Sequence, residues 1–170
     1  QAFDESIDCD PVGKYAFMKH QIEKMFYQSD QFKAIRLSYV FSEFDKFSQY
    51  LLASSKRGDI AEVFHPLIRS IIYIEDVLEG VKNISENWKN ISNPFINFGG
   101  NENLSRIDFA NIMKVNYLSN LKFIEKNPGD SFFESRAKII NMKSPILKKV
   151  LGRDTMNFSK AVEKEFLLNK

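Results

Sequence analysis

Tyr15 and Lys19 stand four residues apart. In a helix that spacing stacks both side chains on one face, a few ångströms apart. A phenol beside an ammonium suits proton transfer to or from an alcohol or carbonyl oxygen. A free phenol titrates near ~10, too high for a base at neutral pH, and a neighbouring cation favours the phenolate. A hydride moving on the other side of the reacting carbon would complete an oxidation or reduction. The pair alone is a weak signal: six tyrosines among the lysines of a 170-residue chain produce about 0.6 such matches by chance. An interfacial tyrosine beside a solvated lysine is the competing reading, so the pair depends on its context.

The elements that must hold the pair are legible from periodicity. Met18, Ile22, Met25 and Phe26 fall at i, i+4, i+7 and i+8, which predicts an amphipathic helix over 14–29. A strand is expected over 32–41, with Ile35, Leu37, Tyr39 and Phe41 on one face. Helix 45–55 stops before Gly58, strand 60–64 ends at His65-Pro66, and strand 70–74 leads into helix 75–88. Strand 95–98 ends at Gly99-Gly100. Ser105 and Asp108 form a capping box for the next helix, which buries Phe109, Ile112 and Met113. Strand 121–126 follows; Ser144 caps a short helix with Pro145 at its first position and Gly152 at its end; a last helix opens near Asn157. Strands alternating with helices predict an α/β fold with a largely parallel sheet.

Composition narrows the function classes. A hydrophobic share of 44% and a charged share of 27% describe a folded domain with an ordinary surface. No apolar run is long enough to span a bilayer, and no export leader is visible, so a cytoplasmic protein without a membrane partner is expected. The single cysteine, Cys9, excludes a disulfide scaffold and an all-cysteine zinc site; it reads as a small buried residue, and no metal is expected. Seven glycines include no phosphate-binding fingerprint of either common type. Residues 136–170 carry nine bases against three acids. They read as a solvated face or a pocket for a phosphorylated ligand, and not as a nucleic-acid surface, because aromatics are not interleaved.

Five ordered segments supply the context for Tyr15 and Lys19. The acidic stretch Phe3–Asp10 and Pro11 precede the pair. Ala34-Ile-Arg36-Leu-Ser-Tyr39-Val-Phe41 follows the helix; Arg69-Ser-Ile-Ile-Tyr-Ile-Glu-Asp76-Val, Phe95-Ile-Asn-Phe-Gly-Gly with Leu104-Ser-Arg, and a closing run from Arg136 to Gly152 come after. Together they resemble the extended short-chain dehydrogenase/reductases, the NAD-dependent epimerase/dehydratase superfamily, and most of all its dTDP-4-dehydrorhamnose reductase-like members. The resemblance covers the C-terminal half of that family. Its glycine fingerprint and its catalytic Ser or Thr lie upstream of the tyrosine, and the Ser usual before the lysine is Met18 here.

The resemblance implies the C-terminal part of a Rossmann-type parallel sheet plus a small mixed α/β substrate domain. Residues 1–58 would belong to the dinucleotide-binding part and 59–170 mainly to nucleotide-sugar binding, with 70–98 partly returning to the sheet. It implies NAD or NADP, bound mainly by the absent half, and reduction or epimerisation of a nucleotide-activated sugar. Tyr15 would be the catalytic acid or base, and Lys19 would bind the nicotinamide ribose. Ser38, Tyr39 and Val40 would lie beneath nicotinamide and sugar. Arg69 would pair with the diphosphate, helped by Arg136. The residues themselves favour a structural salt bridge for Arg36, a turn-capping role for His65 and a helix-capping role for Asp76. A homodimer is expected, and these 170 residues alone are expected to be inactive and to bind NAD(P) weakly. A non-catalytic nucleotide-sugar-binding module is the alternative; a helix-rich interaction protein with a coincidental motif is a third.

Overall fold

In the computed structural model, which describes residues 2–168, the chain runs α1 (Gly13–Phe26), β1 (Ala34–Leu37), β2 (Tyr39–Phe41), α2 (Lys46–Arg57), β3 (Ile60–Phe64), β4 (Ile68–Tyr73) and α3 (Ile74–Glu86). It continues through a 3-10 turn (Trp88–Asn90), β5 (Phe95–Phe98), β6 (Asn103–Ser105), α4 (Arg106–Asn116), β7 (Lys122–Lys126), α5 (Asp130–Phe133) and β8 (Ile139–Ile140). The last elements are α6 (Pro145–Leu151), α7 (Phe158–Glu163) and a π-helical turn (Lys164–Leu168).

Capping chemistry sets most helix ends. The Asp45 carboxylate accepts from the backbone N–H groups of Phe47 at 2.9 Å and Ser48 at 3.0 Å, opening α2. Gly58 closes it in the left-handed region at φ 76°. Ser105 and Asp108 make the reciprocal capping box of α4, and Asn157 caps α7. Two assignments need correction. Ser144 does not cap α6; its Oγ accepts from the Gly99 N–H at 2.8 Å, tying the helix start to the end of β5. Asp76 does not cap α3; it is 1% exposed, pairs with Arg153 at 2.8 Å and accepts from the Met156 N–H at 2.8 Å. It sits in the first turn of the helix and faces the 153–156 segment.

The expected strand 32–41 is two strands with different partners. β1 pairs in parallel with β5, ending at Leu37 opposite Phe98, and β2 pairs in parallel with β4, starting at Tyr39 opposite Ile71. Ser38 marks the change, donating its N–H to Phe98 O at 3.1 Å. The cause is the chain leaving β5: Gly100 lies so close to β4 that a Cβ there would stand 1.7 Å from the Ile71 carbonyl oxygen. β3 pairs in parallel with β7, and β4 takes β8 in parallel and β6 antiparallel. The α/β class with mainly parallel pairing is thus present.

Two apolar clusters fill the layers. One gathers Phe41, Phe47, Tyr73, Phe109, Phe158 and Phe166 between β2, β4, α2, α4 and α7. The other joins Ile72, Ile96 and Phe98 to Leu147 of α6 and Ile84 of α3. α1 stands apart. It buries no residue, and its apolar stripe is open, with Tyr15 76%, Met18 58% and Met25 73% exposed. Among the described residues, β1 and β2 each pair along one edge only.

Candidate active site

α1 brings Tyr15 and Lys19 together as the spacing requires: the Lys19 Nζ lies 5.6 Å from the centre of the Tyr15 ring. Among the described residues no side-chain hydrogen bond occupies either group. One turn beyond Lys19, Glu23 takes a forked contact from Arg36, with Nη2–Oε2 at 2.6 Å and Nε–Oε1 at 3.0 Å. The Arg36 guanidinium also stacks on Phe95 at 4.4 Å. Arg36 is therefore the structural ion pair expected of it, and the fork fixes the Tyr15 helix to β1 just before Ser38–Val40.

Ser38, between β1 and β2, has its Oγ enclosed and unpartnered among the described residues. The Tyr39 hydroxyl donates to the Asp45 carboxylate at the start of α2. Burial, and after it the charge of Asp45, push that phenol far above its ordinary range, so Tyr39 stays protonated and shapes the site without transferring protons. Val40 packs on the Ile72–Phe98 cluster.

Arg69, on β4, lines a cavity of about 50 Å³ with Tyr39, Phe47, Leu104, Arg106 and Phe109. Its guanidinium donates to three carbonyls: Ile68 at 2.7 Å, Lys138 at 3.1 Å and Ala137 at 2.7 Å. These bonds fasten the segment before β8 and leave two of five N–H donors for a ligand. Burial, with repulsion from Arg106 second, draws its pKa down to about 10. Arg136 is exposed, stacks on Phe132 at 4.6 Å, and is not among the residues lining this cavity. Arg106 has no ion-pair or side-chain hydrogen-bond partner among the described residues. It lies over Phe47 at 4.0 Å and Tyr39 at 5.6 Å. The sequence reading missed it; an arginine at the first turn of α4, directly after the Ser105 cap, was the available signal.

Other candidates resolve differently. Cys9, His20 and Glu23 bring possible ligand atoms within 4.8 Å of one another. Both Glu23 oxygens are taken by Arg36, however, and burial pushes the Cys9 thiol up, away from the thiolate a metal requires. Cys9 is only partly buried, unlike the buried residue expected. His65 does not cap its turn through Nδ1, which is enclosed without a partner among the described residues. The basic tail disperses into ion pairs: Lys148 with Asp154, Arg153 with Asp76 and Glu79, Lys164 with Glu75.

Solved structures share this arrangement of elements. UDP-glucuronic acid 4-epimerase from Bacillus cereus, in complex with UDP-glucuronic acid and NAD, superposes with a TM-score of 0.76 at 20% identity, over 97% of this chain and 55% of its own. dTDP-4-dehydrorhamnose reductase from Bacillus anthracis, in complex with NADP, gives 0.78 at 16% identity, over 98% and 59%. The chain has the fold of sugar-nucleotide epimerases and reductases. UDP-glucose 4-epimerase from Thermotoga maritima, with UDP-glucose, gives 0.72 at 15% identity, over 96% and 55%. The chain spans a little over half the length of each of these proteins. No family model matches the sequence, and no curated protein matches it.

Proposed function

We propose that this chain is the part of an NAD(P)-dependent sugar-nucleotide reductase or epimerase that carries the acid–base pair and most of the nucleotide-sugar site. The observation that carries the reading is the Tyr15–Lys19 pair on a helix pinned by the Glu23–Arg36 fork to the strand leading into Ser38–Val40, in a fold shared with such enzymes. Residues 1–58 then supply the catalytic helix and its strand, and 59–170 mainly the substrate domain, with 70–98 returning partly to the sheet.

The residues present fit the nicotinamide end of the cofactor: the phenol, the ammonium and the enclosed Ser38 hydroxyl all lack hydrogen-bond partners among the described residues. They offer no glycine-rich loop for its pyrophosphate. When bound, NAD(P) supplies or accepts the hydride. Tyr15 moves the proton at the sugar oxygen, Lys19 holds the ribose hydroxyls, and Arg69 uses its two remaining N–H donors on the diphosphate. Val40 and the backbone of Ser38 line the nicotinamide, Tyr39 the sugar, and Arg136 is a more distant contact for the substrate. The parent protein acts in the cytoplasm as a homodimer, and these 170 residues alone are inactive.

The test is Tyr15→Phe in the full-length protein. Turnover of a keto sugar nucleotide should fall by roughly 10²–10⁴-fold, the worth of a positioned acid, while sugar-nucleotide binding survives. Unchanged turnover would remove Tyr15 from the mechanism.

A further inference from the structure

Two half-buried guanidiniums facing one cavity without a carboxylate between them are costly. Arg69 and Arg106 both line the 50 Å³ cavity, and among the described residues neither forms an ion pair. Burial draws each below its ordinary pKa; the charge of Arg106 lowers Arg69 further, whereas Tyr39 and the Asp45 carboxylate beyond it offset part of the shift of Arg106. Folding normally pairs such charges or keeps them in water. Arg69 still has two donors after its three carbonyl bonds, and Arg106 has all five. The Arg106 plane is nevertheless held in place by the Phe47 ring at 4.0 Å and the Tyr39 ring at 5.6 Å. Tyr39 is itself fixed by its hydrogen bond to Asp45. The cavity has room for about three or four waters, roughly the size of one phosphoryl group.

We propose that Arg106 is the second arm of a phosphate clamp with Arg69, and that one phosphoryl group of a diphosphate ligand sits between the two guanidiniums. The assignment deepens, and for its ligand class rests on, the sugar-nucleotide reading; Arg106 itself is new to it. Paired cations explain what the fold tolerates here, since an anion between them turns their mutual repulsion into two charge-assisted contacts. The clamp also joins the two sides of the cavity, because Arg69 belongs to β4 and Arg106 opens α4.

Inorganic pyrophosphate titrated calorimetrically into the full protein tests the clamp apart from any turnover. Wild type should bind it, and Arg106→Gln and Arg69→Ala should each weaken binding at least ~10-fold, the scale of a lost charged hydrogen bond. Arg57→Gln, which removes an exposed cation paired with Asp59, should leave binding unchanged. Without ligand, Arg106→Met keeps the apolar stem and removes the repulsion, so it should melt no lower than wild type. If Arg106→Gln binds like wild type while Arg69→Ala does not, the clamp is overturned and the sugar-nucleotide reading stands. Equal weakening by Arg57→Gln, or a clear drop in the melting temperature of unliganded Arg106→Met, would also overturn it. Absence of pyrophosphate binding overturns it as well, while turnover of the Tyr15 variant still judges the wider reading.

Discussion

Tyr39 and Tyr73 are held protonated by their surroundings, and this has a measurable sign. Tyr73 is 2% exposed and donates to Glu165 at 2.7 Å; Tyr39 donates to Asp45. Burial first, and then the neighbouring carboxylates, raise both phenols well above 10.0. An unfolded tyrosine ionises near ~10, so the stability these groups confer is complete below that pH and is lost as pH rises further. Each contributes at most about 1.4 kcal/mol per pH unit there. Urea melts should therefore weaken from about pH 10 upward, and Tyr73→Phe should flatten the slope. Ultraviolet titration showing all six tyrosines ionising together in the folded protein would contradict this. At this scale the sequence was legible wherever the partner is near or of a matching type. Asp45, Ser105 and Asn157 cap helices within three residues of themselves. Asp76 and Ser144 were misread because their partners, Arg153 and Gly99, lie 77 and 45 residues away. Arg106 reaches the Arg69 cavity only through the antiparallel register of β4 and β6, which no local pattern encodes.

Among the elements, length decided what could be read. Helices of eleven or more residues and strands of four to six carried their period and their stops, and all but the expected strand 32–41 lie where expected within a few residues. β6, β8 and α5, with three, two and four residues, are too short for a period and exist through their neighbours. The division of 34–41 into β1 and β2 was also hidden, because the alternation Ile35, Leu37, Tyr39, Phe41 is unbroken while the hydrogen-bonding partner changes. Gly100 makes that change possible, which sets a ranking. Gly100→Ala would drive a Cβ to 1.7 Å from the Ile71 carbonyl oxygen, whereas Gly58→Ala meets nothing within 4 Å and suffers only its left-handed φ of 76°. The first should cost about 1–3 kcal/mol or more through displaced backbone, and the second about 1–2 kcal/mol. Chemical denaturation of the two variants checks the order, and a Gly100→Ala protein as stable as Gly58→Ala would show that β4 and the Gly99-Gly100 segment can separate freely.

On the scale of the whole molecule, α1 is the element whose sequence and surroundings disagree. Tyr15, Met18, Ile22, Met25 and Phe26 form one stripe, yet they are 76%, 58%, 45%, 73% and 47% exposed. Among the described residues, the ion pair that ties the helix to the rest is the Glu23–Arg36 fork. An amphipathic helix gains its stability by burying such a face. Exposed apolar stripes beside strands with a free edge attract another chain. β1 and β2, which follow α1 in the chain, are each open along one edge among the described residues. The occupant we expect in a solution of these 170 residues is a second copy, with the two α1 stripes packed together. Sedimentation equilibrium should find a dimer, and Met18→Glu with Ile22→Glu should return it to a monomer without unfolding the Phe41–Phe109 cluster, which α1 does not touch. In the dimer Tyr15 loses solvent contact, so its accessibility to tyrosine-directed iodination should fall as concentration rises. A monodisperse monomer of the unaltered chain, with Tyr15 iodinated equally at all concentrations, would mean that the stripe is stable in water and that pairing must come from elsewhere.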